Sequence, residues 1–159
     1  MRTRMQRTLF SLGSGAILVG ALTACGGGTS VTTNDESPGD VKISSSEGSL
    51  STNSQLPEGW PSDVPTPQGL PVINGTTINT GKGDTYSATF EGSDATPEQV
   101  GAQLTTDFKA KGWKSSTTLG GGSSGGIKTW SKGTRSVQVT IAPSEGKTGV
   151  NITVVDSGS

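Results

Sequence analysis

The chain contains no histidine and only one cysteine, Cys25, among its 159 residues. Without histidine it lacks the most common general base, the most common metal ligand and any Ser-His or Cys-His catalytic pair. A single cysteine also excludes a disulfide within the chain, so a folded domain must be stabilised by packing. These absences argue against an enzyme, and we predict no catalytic residue, no metal site and no cofactor.

Other catalytic or ligand motifs are equally scarce. Gly146-Lys147-Thr148 resembles the end of a phosphate-binding loop, but the required first glycine falls at Ile141 and a strand-like segment follows. No calcium-loop pattern occurs, and the carboxylates are spaced as solvated surface charges. A hydrolase is therefore the least favoured class of function.

The N-terminal stretch has the layout of an export signal. Arg2, Arg4 and Arg7 precede an apolar run over residues 9–22, which is too short to span a membrane and ends in small residues. The run closes on Leu22-Thr23-Ala24-Cys25. This lipobox resembles the processing site of bacterial lipoprotein precursors.

The resemblance implies that residues 1–24 are a signal peptide and that the thiol of Cys25 receives a diacylglyceryl group. Cleavage would then make Cys25 the first mature residue, held by acyl chains such as palmitate at the extracytoplasmic face of a bacterial membrane. The alternative is an ordinary signal peptide in which Cys25 lies near the cleavage point.

Positive charge is also in short supply once the signal is removed. The mature chain keeps nine basic and thirteen acidic residues, a net charge of −4, with Arg135 its only arginine. Nucleic-acid binders need a basic face to displace counterions from phosphates. The composition therefore excludes nucleic acid as a partner.

Residues 25–55 are predicted to be the lipidated cysteine and a disordered linker. This stretch is rich in Gly, Ser and Thr, and its few apolar residues cannot offset the entropy of ordering. The alternative is that Val41 to Ile43 adds an edge strand. A folded domain is predicted over residues 56–157, beginning with a strap from Leu56 to Val72 that contains five prolines. A ligand segment for an aromatic groove is the other interpretation of that strap.

Local patterns then predict a hairpin and a helix. Residues 76–80 and 85–91 flank a glycine turn, and the second run alternates polar and apolar side chains. Thr96, Pro97 and Gln99 form the N-cap, first turn and capping box of a helix. An apolar stripe of Val100, Leu104 and Phe108 follows, and Gly112 ends the helix so that Phe108 meets Trp113.

Four more strands are predicted after the helix, at residues 113–119, 127–132, 135–142 and 149–155. Between the first two, residues 120–126 are nearly all Gly and Ser, which predicts a mobile tip that is either a binding loop or a tolerated insertion. The fold predicted for the domain is α+β: one helix packed on a mainly antiparallel sheet of five to six strands, in the order ββαββββ, preceded by a disordered tether.

The mature chain is also similar to small, uncharacterised cell-envelope lipoproteins of actinobacteria. The similarity rests on Trp60-Pro61-Ser62-Asp63-Val64-Pro65, the helix, Gly112-Trp113 and the late strands. It implies a cell-surface lipoprotein and carries over no catalytic or binding residue.

Trp130 is the residue on which we predict a contact surface, with Lys128, Lys132 and Trp60. It is out of phase with Ile127 in its strand and flanked by the two lysines, so we expect it to face away from the helix. The predicted function is a non-enzymatic binding or protein-interaction module that recognises an envelope component or another exported protein. The alternative is a small carrier of lipid or another hydrophobic ligand, although about twenty apolar residues leave little room for a large cavity.

Overall fold

A computed structural model describes residues 29–33 and 40–158. The predicted signal peptide and Cys25 lie outside the described residues. Within them the chain forms nine strands, one α-helix and a short 3₁₀ helix at Gly122–Ser124. In chain order they are β1 (Ser30–Thr33), β2 (Val41–Ser45), β3 (Gly48–Asn53), β4 (Val72–Asn79), β5 (Asp84–Gly92), α1 (Pro97–Ala110), β6 (Lys114–Gly120), β7 (Gly126–Lys132), β8 (Arg135–Ser144) and β9 (Lys147–Asp156).

The nine described strands form one antiparallel sheet in the order β1-β2-β3-β4-β5-β9-β8-β7-β6. Strands β1 to β5 follow one another as a meander. Helix α1 then carries the chain over one face to β6 at the far edge, and β7, β8 and β9 run back until β9 pairs with β5. The last strand therefore joins the two halves of the sheet.

The predicted fold class, α+β with five to six strands in the order ββαββββ after a disordered tether, is wrong. The described chain is mostly β, and three of its nine strands, β1 to β3, come from the region predicted to be the tether. These strands pair with one another through the backbone, β3 pairs with β4, and none of the three contributes to the core, so a count of apolar residues could not reveal them. The alternative strand at Val41 to Ile43 comes closer, but β2 lies between β1 and β3 and is not an edge strand.

The core lies between α1 and four strands that are neighbours in the sheet, in the order β5, β9, β8 and β7. Helix α1 buries Val100, Leu104 and Phe108 against it, as predicted. The last two strands, predicted at residues 135–142 and 149–155, are confirmed as well, and their side chains alternate between a buried inward face and an outward face. The inward residues are Val137, Val139 and Ile141 on β8 and Val150, Ile152 and Val154 on β9.

Both ends of α1 form as predicted. Thr96 Oγ1 accepts from the Gln99 backbone N–H, and Gln99 Oε1 accepts from the Thr96 N–H, which completes the capping box. At the other end Gly112 has φ +79°, and the Trp113 N–H donates to the Phe108 carbonyl at 3.0 Å. This Schellman geometry brings the rings of Phe108 and Trp113 edge to face at 5.8 Å.

Candidate ligand-binding groove

The prediction that Trp130 faces outward is wrong. Trp130 is 1% exposed and stacks on Phe108, with ring centroids 5.0 Å apart. Residues directly opposite in neighbouring strands share a face: Trp130 lies opposite buried Val137, whereas Ile127 lies opposite Thr140. Trp130 and Ile127 do lie on opposite faces of the sheet, as predicted. Trp130, however, is the one that faces the core, and Ile127 faces away from it.

Lys132 and Trp60, also predicted for a contact surface, instead hold the proline-rich strap. Trp60 is half-buried against the core, and its Nε1 donates to the Val64 carbonyl at 3.3 Å. Lys132 Nζ donates to Asp63 Oδ2 at 2.8 Å and to the Lys111 carbonyl at 2.9 Å. Both side chains are therefore occupied by contacts within the domain.

Asp63 is at the centre of the contacts that attach the strap. We call the cluster of Asp63, Lys132, Arg135 and Trp113 the strap lock. Arg135 donates from both terminal nitrogens to the carboxylate of Asp63, at 2.6 and 2.8 Å. Trp113 Nε1 donates to the Asp63 carbonyl at 2.9 Å, and the Arg135 guanidinium lies 5.3 Å from the Trp113 ring centroid. The bonds from Arg135, and then those from Lys132, lower the pKa of Asp63 to about 2.

The strap lock has the character of a structural contact. Its one carboxylate is saturated by two cations, so it is a poor general base and offers no free position to a substrate. Glu91 is similarly paired with Lys147 at 2.8 Å, which lowers the pKa of Glu91. Neither ion pair lies beside the apolar concavity described next.

A groove opens beside the N-terminal half of α1, where the helix and the sheet do not fully close on each other. Its cavity volume is about 220 Å³ and its lining is almost entirely apolar or glycine. The helix contributes Pro97, Glu98, Gly101 and Ala102. The facing wall and floor are formed by Leu119 to Gly122, Gly125 to Lys128, Val139 and Ile141.

Small residues on α1 create the gap. A Cβ at Gly101 would lie 3.6 Å from Ile141 Cδ1, which is ordinary van der Waals contact. Glycine at this position therefore leaves unfilled a space that a side chain would occupy. A glycine inside a helix costs about 1 kcal/mol relative to alanine, so the groove is formed at some expense of stability.

The glycine-rich segment, predicted as a mobile tip, forms the opposite wall as a hydrogen-bonded turn. The Gly121 N–H donates to the Gly125 carbonyl at 2.8 Å, and the Gly125 N–H donates to Gly122 at 3.1 Å. Gly125 has φ +75°, and a Cβ there would overlap the carbonyl oxygen of Ile141. Only glycine allows this loop to lie so close to β8, and so the loop bounds the groove.

Polar groups are confined to the groove's rim. Lys128 is the one predicted contact residue that lines the groove; its Nζ donates to Thr105 Oγ1 on α1 at 2.7 Å, which leaves the aliphatic part of the side chain as wall. Leu119 is also among the lining residues, with 61% of its surface exposed. Such a site can bind an apolar group and has no arrangement for covalent chemistry.

Gly101, Leu119 and Ile141 are not among the site residues predicted from the sequence. The one local signal was Gly101 itself, an unfavourable residue in the interior of a well-capped helix. Among the residues described, no cluster of three or more carboxylates, histidines or cysteines could bind a metal ion. The described segments also include no helix with the length and apolarity needed to cross a membrane.

Comparisons with models of protein families, with curated proteins and with solved structures found no match. The groove and the N-terminal sequence are therefore the features that bear on function.

Proposed function

We propose that this protein is an extracytoplasmic lipoprotein, anchored through Cys25, whose folded domain is a non-enzymatic binding module. The groove beside α1 carries the proposal, because it is a largely apolar concavity that accepts one small apolar group. The occupant we propose is an aromatic or branched aliphatic side chain of an exported protein or envelope component.

The size of the groove supports this module over a carrier. Pockets that enclose whole small molecules usually have volumes of roughly 300–1,000 Å³, whereas about 150 Å³ suffices for benzene. A volume of about 220 Å³ fits one ring or one short side chain and cannot enclose a lipid. The groove therefore favours recognition of a protruding side chain over transport of a hydrophobic ligand.

The groove is tested by titrating the ¹⁵N-labelled domain with toluene, indole and hexanoate and following backbone amide shifts. We expect shifts at Gly101, Gly126 and Ile141 with the two ring compounds. Gly101→Leu should abolish these shifts by filling the space, whereas Ala110→Leu, at an exposed position on the same helix, should preserve them. An unresponsive groove, or equal loss in both variants, would exclude it as a binding site.

The anchor is tested separately by the intact mass of the membrane-extracted protein. We expect a mature chain that begins at Cys25 and carries a diacylglyceryl adduct, and a Cys25→Ser variant that carries none. Because each buried CH₂ contributes about 0.8 kcal/mol, two acyl chains should keep the protein on membranes in high salt. A wild-type chain without the adduct would make this a freely secreted domain and refute the anchor.

A further inference from the structure

The first four strands carry an unusual pattern on the sheet face opposite α1. Val31, Ile43, Leu50 and Ile78 lie directly opposite one another on β1, β2, β3 and β4, and so form one continuous line across the strands. We call this line the aliphatic row. Val31 is 62% exposed and Ile78 is 42% exposed, while Ile43 and Leu50 are half-buried by their neighbours in the row.

Nothing in the described domain covers the aliphatic row, because α1 and the strap lie on the other face. Strand pairing places Lys42 on the core face. Lys42 lies opposite Ser51, Ser51 lies opposite Thr77, and Thr77 lies opposite the buried Tyr86. Lys42 is also the only charged residue in strands β1 to β4. The face that bears the aliphatic row is therefore free of charged side chains along these strands.

The position of the row relative to Cys25 indicates what covers it. Only Gly26 to Thr29 separate Cys25 from Ser30, the first residue of β1. Five Cα steps span at most about 18 Å even when fully extended. A lipid-anchored Cys25 thus holds β1 at the membrane surface, in place of the thirty-residue tether predicted from composition.

We propose that the aliphatic row lies against the bilayer interface and orients the anchored domain on the membrane. This inference rests on the proposed lipid anchor at Cys25. The row spans three strand intervals, about 14 Å, so a sheet face lying flat brings all four side chains to the same depth. Exposed apolar surface of this kind marks an interaction site, and strands β1 to β4 place no charged side chain on this face that would be desolvated at the headgroups.

The orientation also places the groove. The groove lies near the β6 edge, at the opposite end of the sheet from β1 and on the opposite face from the aliphatic row. A domain that rests on the aliphatic row therefore presents its groove away from the bilayer. Because no basic residue of β1 to β4 shares the row's face, the contact should not depend on anionic lipid or on ionic strength.

The test uses full-length lipidated protein, purified from membranes and placed in vesicles of phosphatidylethanolamine and phosphatidylglycerol. The lipid blocks the only native thiol, so one introduced cysteine gives a unique site for an environment-sensitive fluorophore. Val31→Cys and Thr32→Cys form a matched pair: both positions are exposed, adjacent and equally near the anchor, but they lie on opposite faces. Ile78→Cys and Lys42→Cys repeat the comparison further along the sheet.

We expect a blue shift of emission, and quenching by brominated acyl chains, at positions 31 and 78 but not at 32 and 42. Equal behaviour of both faces in vesicle-bound protein would overturn the orientation while leaving the anchor intact. A blue shift without quenching would mean that a second copy covers the row, which also overturns it. Wild-type protein that is found without the lipid adduct and does not sediment with vesicles would refute the anchor, and this inference with it.

Discussion

Replacing Asp63 by asparagine should destabilise the domain at neutral pH and make its stability less sensitive to acid. In the wild type the Asp63 carboxylate binds Arg135 through two hydrogen bonds and Lys132 through one, across a separation of about seventy residues. Asparagine has a similar shape but no charge. The substitution therefore removes the attraction that fastens the strap to β7 and β8 while preserving the packing around it.

The size of the effect follows from the pKa of Asp63. Folding lowers this pKa from 3.8 to about 2. Each unit corresponds to about 1.4 kcal/mol, but the side chain is 26% exposed and solvent screens the pair. We therefore expect a loss of about 1–2 kcal/mol in the free energy of unfolding. Because the folded pKa is the lower one, this contribution is complete above pH 3.8 and disappears as the pH falls through about 2.

Urea unfolding followed by tryptophan fluorescence can measure this on chain produced without residues 1–25. The difference between wild type and Asp63→Asn should be constant from neutral pH down to about pH 5 and should shrink towards zero near pH 2. Asp94→Asn, at an exposed carboxylate, is the control and should leave the curve unchanged. A wild type and an Asp63→Asn variant with parallel stability curves over this range would refute the strap lock as a source of stability.

Three further substitutions test the helix and the core by the same unfolding measurement. Thr96→Ala should lower stability by about 1 kcal/mol through loss of the N-cap, and an unchanged midpoint would argue against the capping box. Trp130→Ala should cost about 3–5 kcal/mol because it empties the stack on Phe108, whereas a surface tryptophan would cost little. Gly112→Ala should cost about 1 kcal/mol, since alanine adopts the left-handed conformation at a penalty; a neutral result would contradict the Schellman geometry.

The elements that the sequence predicts well are those whose signals are local. Helix α1 has its N-cap, its apolar stripe and its terminal glycine within seventeen residues, from Thr96 to Gly112. Strands β8 and β9 alternate cleanly because one face meets the core and the other meets water. Each of these patterns reports the environment of the element directly.

Strands β1 to β3 could not be found in this way. Their apolar residues occur about once per strand on the side that no helix covers, so neither periodicity nor composition separates them from a linker. These strands become ordered by backbone pairing that begins at β4, whose edge pairs with β3. The predicted orientation of Trp130 was wrong for a related reason. Alternation separates the residues of a strand into two faces but does not indicate which face packs against α1.

The groove could not be predicted from the sequence because it is formed by residues that are far apart in the chain. It depends on Gly101 lying above Ile141, forty positions later in the chain, and on Gly125 passing close to the backbone of β8. Each residue taken alone indicates only flexibility or a turn. Their combination becomes visible once the sheet order places β8 beneath the first turns of α1.

Because β9 lies at the centre of the sheet and is the last strand of the chain, the sheet can be completed only when the whole chain is present. Until residues 147–156 are available, β5 and β8 each have an unpaired side, and the chain consists of two separate meanders with exposed edges. Such edges favour aggregation and attract proteases. A truncated or prematurely terminated chain should therefore be degraded as a whole, so that only complete molecules accumulate.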